Sequence, residues 1–131
     1  MTKIDIVQGD KTFAEIDTII SEYLQERDWL DNPSRSVATS ILLEASELLE
    51  HYQWSDKPVG TPDELGEELA DVIIYAFQFA HTNKIDIADA ILKKLEKTRK
   101  KYPAEAFKNK NKDEMRQAWM DAKINHKKEG L

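Results

Sequence analysis

Two acidic pairs stand inside apolar helical runs, Glu44 with Glu47 in EASELLE and Glu68 with Asp71 in EELADVIIY, three residues apart in each case. At about 100° per residue, positions three apart share one face of a helix, so each pair points both carboxylates the same way. A carboxylate beside a core face needs compensation, because an unpaired buried charge is costly. Four carboxylates in two such segments suit a hard divalent cation held by oxygen alone, magnesium foremost and manganese as its substitute. Such a cation can bridge an acidic protein to a polyphosphate substrate. The same four residues also fit surface acids paired with lysines, and spacing alone leaves the two readings open.

Other chemistries find less support. A carboxylate-bridged di-iron site uses Glu-x-x-His ligands, but the residues three before His51, His81 and His126 are Leu48, Gln78 and Lys123. His51, one turn beyond Glu47, reads as a solvent-facing histidine. The four glycines are scattered, so no glycine-rich phosphate loop occurs. No cysteine is present, which removes disulfides, zinc-thiolate sites and thiol nucleophiles.

The elements that must position the acids are helices, because apolar residues recur at three and four along nearly the whole chain. Thr12 and Glu15 form a capping-box pattern opening a first helix, which carries Phe13, Ile16, Ile19, Ile20, Tyr23 and Leu24 and runs out near Trp29. Asn32 and Pro33 give a fresh start for a second helix with Val37, Ala38, Ile41, Leu42, Ala45, Leu48, Leu49 and Tyr52 as its core stripe. Thr61, Pro62 and Glu64 open a third, to about His81, that is apolar almost all round. Its single polar strip is Glu64, Glu68, Asp71, Tyr75 and Gln78, and an antiparallel pairing of the second and third helices makes the four carboxylates converge. A fourth helix starts at Asp86, buries Ile87, Ile91, Leu92 and Leu95, and stops before Pro103. Residues 104–113 read as linker and Glu114 to Ile124 as a short amphipathic tail helix.

At 131 residues the chain fits one all-α domain, a four-helix core over 12–103 followed by the linker and tail helix over 104–131. A formal net charge of −6 argues against a nucleic-acid polymer as partner. The longest apolar run, Val72 to Phe77, is too short to span a bilayer, and Met1 to Lys11 lacks the continuous apolar stretch of a signal peptide. No membrane partner and a cytoplasmic location are therefore expected. The lysines between Lys93 and Lys112, and at Lys127 and Lys128, read as a solvated face.

Taken together, these segments resemble the MazG-like all-alpha nucleoside triphosphate pyrophosphohydrolases, and within them the dCTP pyrophosphatase branch. The resemblance covers roughly residues 18–103: E-x-x-E at Glu44 and Glu47, E-x-x-D at Glu68 and Asp71, ERDW ending at Trp29, HYQW ending at Trp54, Tyr75, and KTRKKYP ending at Pro103. It implies a four-helix MazG-like bundle and hydrolysis between the α and β phosphates, giving a nucleoside monophosphate and pyrophosphate. It further implies Glu44, Glu47, Glu68 and Asp71 as magnesium ligands, with Glu44 also orienting the attacking water. Trp29, Trp54 and Tyr75 match aromatic positions around the base, while Lys94, Arg99 and Arg35 are phosphate candidates. Homodimers or homotetramers with sites near subunit interfaces are expected on the same ground.

Three positions depart from the family pattern. Ser46 stands where many relatives have glycine, Thr98 where asparagine is common, and Ile20 where some dCTP enzymes place a base-proximal histidine. The favoured substrate is dCTP. The alternatives are dUTP, a damaged nucleotide or phosphoribosyl-ATP, and a noncatalytic helical interaction module that keeps the bundle.

Overall fold

Thr12 and Thr61 each complete a capping box: the threonine hydroxyl accepts from the N–H three residues on, and Glu15 or Glu64 accepts from the threonine N–H. These bonds hold Glu15 below the usual carboxylate range. The boxes open α1 (Phe13–Gln25) and α3 (Pro62–Thr82) in a computed structural model that describes residues 9–128. Between them α2 (Ser34–Glu50) starts directly after Pro33, where the fixed proline φ suits a helix entry. α4 (Ile87–Lys101), the single-turn α5 (Ala104–Phe107) and α6 (Lys112–Lys128) follow, and no strand occurs among the described residues. The segment from Met1 to Gln8 lies outside the described residues. No described helix is long and apolar enough to cross a membrane.

α1 ends four residues before Trp29, earlier than the sequence pattern predicts. Asp28 takes a left-handed φ of 55°, and the N–H groups of Asp28 and Trp29 return to the carbonyls of Gln25 and Leu24. Lys84, also at φ 55°, ends α3 the same way, with Lys84 and Ile85 donating to His81 and Ala80.

Two units divide the chain between Ile87 and Ala88. In the first, α3 packs against both α1 and α2, which is the central place its nearly all-apolar circumference requires. Ile20, Leu24 and Phe77 form the core cluster, with Leu30, Ile74 and Ile87 packed on it. Phe13 lays its ring 5.2 Å from that of Phe77. An Asp17–His81 contact of 2.6 Å fastens α1 to α3, and the loop after α1 is held by Thr82 Oγ1 donating to the Leu30 carbonyl at 3.0 Å.

The expected core stripe of α2 is only partly covered. Val37 is buried, but Leu42 and Leu49 are 70% and 69% exposed, since α2 packs chiefly against α3. The expected burial along α4 is likewise corrected, since Ile91, Leu92 and Leu95 are all exposed. The four-helix core expected over 12–103 is crossed by the division at Ile87, so that α4 groups with α5 and α6. In this second unit part of the predicted linker is helical, with the Tyr102 ring edge-on to Phe107 of α5 at 5.7 Å. α6 starts earlier than predicted because Asn111 caps it, accepting from the Glu114 N–H at 2.8 Å.

Leu24, 1% exposed, is the most enclosed side chain of the first unit. Leu24→Ala is expected to lower stability by about 2–5 kcal/mol, measured by urea unfolding followed by circular dichroism. A loss below about 1 kcal/mol would show that the cluster is not the structural core.

Candidate metal centre and adjoining cavity

The α2–α3 hairpin brings the two acidic pairs face to face. One carboxylate oxygen from each of Glu44, Glu47, Glu68 and Asp71 lies within 4.8 Å of the others, with Glu44 and Glu68 half-buried and Glu47 and Asp71 exposed. Among the described residues no lysine or arginine forms an ion pair with any of the four, so the reading of surface acids paired with lysines finds no partner here. The crowding raises the Glu44 pKa above its ordinary value, first through a hydrogen bond with Glu47, then through desolvation and the charges of Glu47, Asp71 and Glu68. An all-oxygen set of converging carboxylates that resists full ionisation fits a hard divalent cation, which supplies the missing positive charge.

His51 corrects an expectation. Its side chain is only 13% exposed, and its Nε2 lies 3.5 Å from Glu68 Oε1. Two features of the α2–α3 turn set it there. The His51 carbonyl accepts from the Val59 N–H at 2.8 Å, and the ring occupies the space beside Gly60 where a Cβ would collide with it. Any side chain at Gly60 would thus displace the ring from Glu68. A group of this kind behind a ligating carboxylate fixes its orientation.

Asp71 belongs to a second feature as well. It lines a cavity of about 270 Å³ between α1 and α3, walled by Ile20, Tyr23 and Leu24 on one side and by Ile74, Tyr75 and Gln78 on the other. Trp29 closes the wall, its ring edge-on to Tyr23 at 5.8 Å, with the Arg27 guanidinium over the opposite partner, Tyr23, at 3.9 Å. Gln78 Nε2 donates to the Trp29 carbonyl at 3.1 Å, which holds the left-handed turn at the cavity. The cavity is therefore flat-walled, largely apolar, and joined to the acidic centre through one shared residue.

Of the predicted site residues, Glu44, Glu47, Glu68 and Asp71 converge, and Trp29 and Tyr75 line the cavity beside them. Trp54 does not join them: it is 83% exposed in the loop after α2. Arg35 is exposed on the first turn of α2, nine residues from Glu44 and so about 13 Å along the helix. Lys94 and Arg99 are exposed on α4 in the second unit. That unit has a cavity of its own, about 620 Å³, with Lys97, Lys100 and Lys101 at its edge. Tyr23 and Gln78 were not among the predicted site residues. A signal existed for Gln78, since Asp71, Tyr75 and Gln78 stand at i, i+4 and i+7 on one helical face.

Fold and centre together define an all-α protein with a four-carboxylate centre on a helical hairpin, opening beside an aromatic cavity. Residues 39–115 match the MazG-like family, more than half of the chain, and the chain belongs to that family. Among curated proteins it is similar to dCTP pyrophosphatase 1 of Bos taurus and of Homo sapiens, each 32% identical over 72% of this chain. The matched part spans only 62% and 61% of those two relatives. Among solved structures it is similar to a pyrophosphatase from Archaeoglobus fulgidus at a TM-score of 0.58 and 31% identity, covering 76% of this chain and 99% of that one.

The raised Glu44 pKa has a consequence for stability. A carboxyl whose folded pKa lies above its unfolded value binds more protons in the native state, so stability falls as pH rises through that window. The cation-free protein should therefore lose stability as pH climbs past the ordinary value of 4.5. Without divalent cations, Glu44→Gln is expected to melt at a higher temperature than the parent at neutral pH. It should also gain less from added magnesium. Equal melting temperatures, with equal gains, would mean that the four charges do not strain one another.

Proposed function

We propose that the protein is a magnesium-dependent nucleoside triphosphate pyrophosphohydrolase, with manganese as a substitute, that converts a deoxynucleoside triphosphate, dCTP foremost, to the monophosphate and pyrophosphate. The observation that carries this reading is the double placement of Asp71, in the carboxylate centre and in the wall of the aromatic cavity. A base seated in the cavity leaves its phosphates beside the acids. The names of the relatives, dCTP pyrophosphatase and pyrophosphatase, support the same reaction class.

Glu44, Glu47, Glu68 and Asp71 would hold the cation, which when bound neutralises phosphate charge and acidifies water. The reaction breaks the bond between the α phosphorus and the oxygen bridging to the β phosphorus, and water supplies the new oxygen on the monophosphate. Glu44, half-buried at the centre, is placed to orient that water. His51 keeps Glu68 turned toward the centre. Trp29 and Tyr75 offer aromatic surface to the base, where stacking contributes on the order of 1–3 kcal/mol.

The leucines left open on α2 favour a second copy of this chain as partner, in a homodimer or homotetramer, because exposed apolar area of this kind is buried on association. Arg35, Lys94 and Arg99 remain phosphate candidates, and assembly is one route by which exposed cations reach a site. Reaction in the cytoplasm on free nucleotides, with no nucleic-acid polymer, completes the reading.

The test is a panel of nucleoside triphosphates assayed for magnesium-dependent pyrophosphate release. Turnover with dCTP is expected, along with little change in circular dichroism and a loss of about a hundredfold or more in Glu68→Gln, since even a group behind a metal ligand is worth about 10- to 100-fold. Turnover unaffected by Glu68→Gln, or none with any nucleotide, would contradict the proposal.

A further inference from the structure

Within the cavity beside Asp71 one neutral polar side chain is deeply enclosed. Gln78 is 3% exposed, and its carboxamide has a fixed orientation. A carbonyl oxygen can only accept, so the contact of 3.1 Å with the Trp29 carbonyl requires Nε2 on that side and places Oε1 on the other. Oε1 accepts from no described residue. Yet among the described residues no side-chain nitrogen or oxygen is both sealed from solvent and without a partner, so Oε1 has an opening. Gln78 lines the cavity, which offers such an opening.

We propose that Gln78 determines which base the site accepts, its Oε1 receiving a hydrogen bond from an exocyclic amino group. Resting on the reading given under Proposed function, this names the substrate class: a triphosphate whose base carries an amino group at the edge inserted into the cavity, as cytosine and adenine do. Uracil and thymine present a keto oxygen at the corresponding place. Two acceptors would then face each other in a pocket walled by Ile20, Leu24 and Ile74, and the hydrogen bond would be lost. The other polar groups at the cavity do not supply this selection. Asp71 belongs to the carboxylate centre, and the Tyr23 and Tyr75 hydroxyls both donate and accept, which makes them tolerant of either base. Gln78 is also unable to reverse its amide, since the flipped form would set Oε1 against the Trp29 carbonyl.

The experiment compares kcat/KM for dCTP, dUTP, dATP and dTTP in the parent and in Gln78→Leu. The parent is expected to favour the amino-bearing member of the pair dCTP and dUTP by on the order of 10- to 100-fold, the range one buried hydrogen bond spans. Gln78→Leu should bring that ratio to within about threefold of unity. If dATP is also used, amino recognition is shared by both base sizes; if only dCTP is used, the cavity accepts a single ring. Because Gln78→Leu also frees the Trp29 loop, the parent is tested with the deoxynucleoside triphosphate of pyrimidin-2-one, which lacks the amino group. A rate well below that of dCTP supports the assignment, and a rate equal to it overturns it. Binding of dCMP and dUMP, followed by tryptophan fluorescence, gives the same ratio without turnover. A preference for dCMP that is lost in Gln78→Leu, in a protein that releases no pyrophosphate, would uphold the assignment while contradicting the proposed reaction. A dCTP to dUTP ratio unchanged in Gln78→Leu overturns the assignment alone.

Discussion

Four carboxylates that repel one another are held together by the packing of α2 on α3, and most of the local architecture answers to that conflict. Neither pair could hold this arrangement by itself, because exposed acids with free side chains swing apart. The central α3 helix supplies rigidity: it starts at a fixed point, the Thr61–Glu64 box, and runs between two neighbours. The turn into it supplies the rest. Gly60 leaves room for the His51 ring, and that ring stands 3.5 Å from Glu68. The raised pKa of Glu44 is the remaining trace of the conflict, and a cation is the species that removes it.

The cavity depends on α3 from its other side. Asp17 with His81, Thr82 with Leu30, and Gln78 with Trp29 tie α1 and the loop after it to the second half of α3. The last of these bonds is also what aims the amide of Gln78. Acidic centre and aromatic cavity thus lie along one helix, separated by the two turns from Asp71 to Gln78. Against this order on the inner faces, the outer face of α2 carries uncovered leucines, and α4 has no buried residue at all. The core is thus a few side chains next to much open apolar surface.

How much of this was legible depended on whether a residue's role is local. Thr12, Thr61 and Pro33 act on their own helix starts, and the sequence pattern places all three starts to within a residue. The acidic pairs were legible for the same reason, since spacing of three fixes a shared face. Asp28 and Lys84 were not, because they occupy left-handed positions that glycine usually marks, and nothing in their type announces a stop. Leu42 and Leu49 look like core by periodicity, but periodicity identifies an apolar face without saying what covers it. His51 reads as solvent-facing in the sequence because its partners, Gly60 and Glu68, come from the following turn and helix. The family resemblance implies a base contact for Trp54, yet its loop leaves it in solvent. Gln78 lay in plain view on the polar strip of α3, and only the fold reveals that its amide is locked by a carbonyl across the cavity.

The convergence of the acids as a cation site is the central claim, and a manganese titration followed by electron paramagnetic resonance tests it without recourse to any nucleotide. The parent protein is predicted to bind manganese, with magnesium competing, and the double variant Glu47→Gln, Asp71→Asn to lose that binding while keeping its helical circular dichroism. Manganese affinity unchanged in the double variant would contradict the account, because two of the four converging oxygens would then have no part in holding the ion.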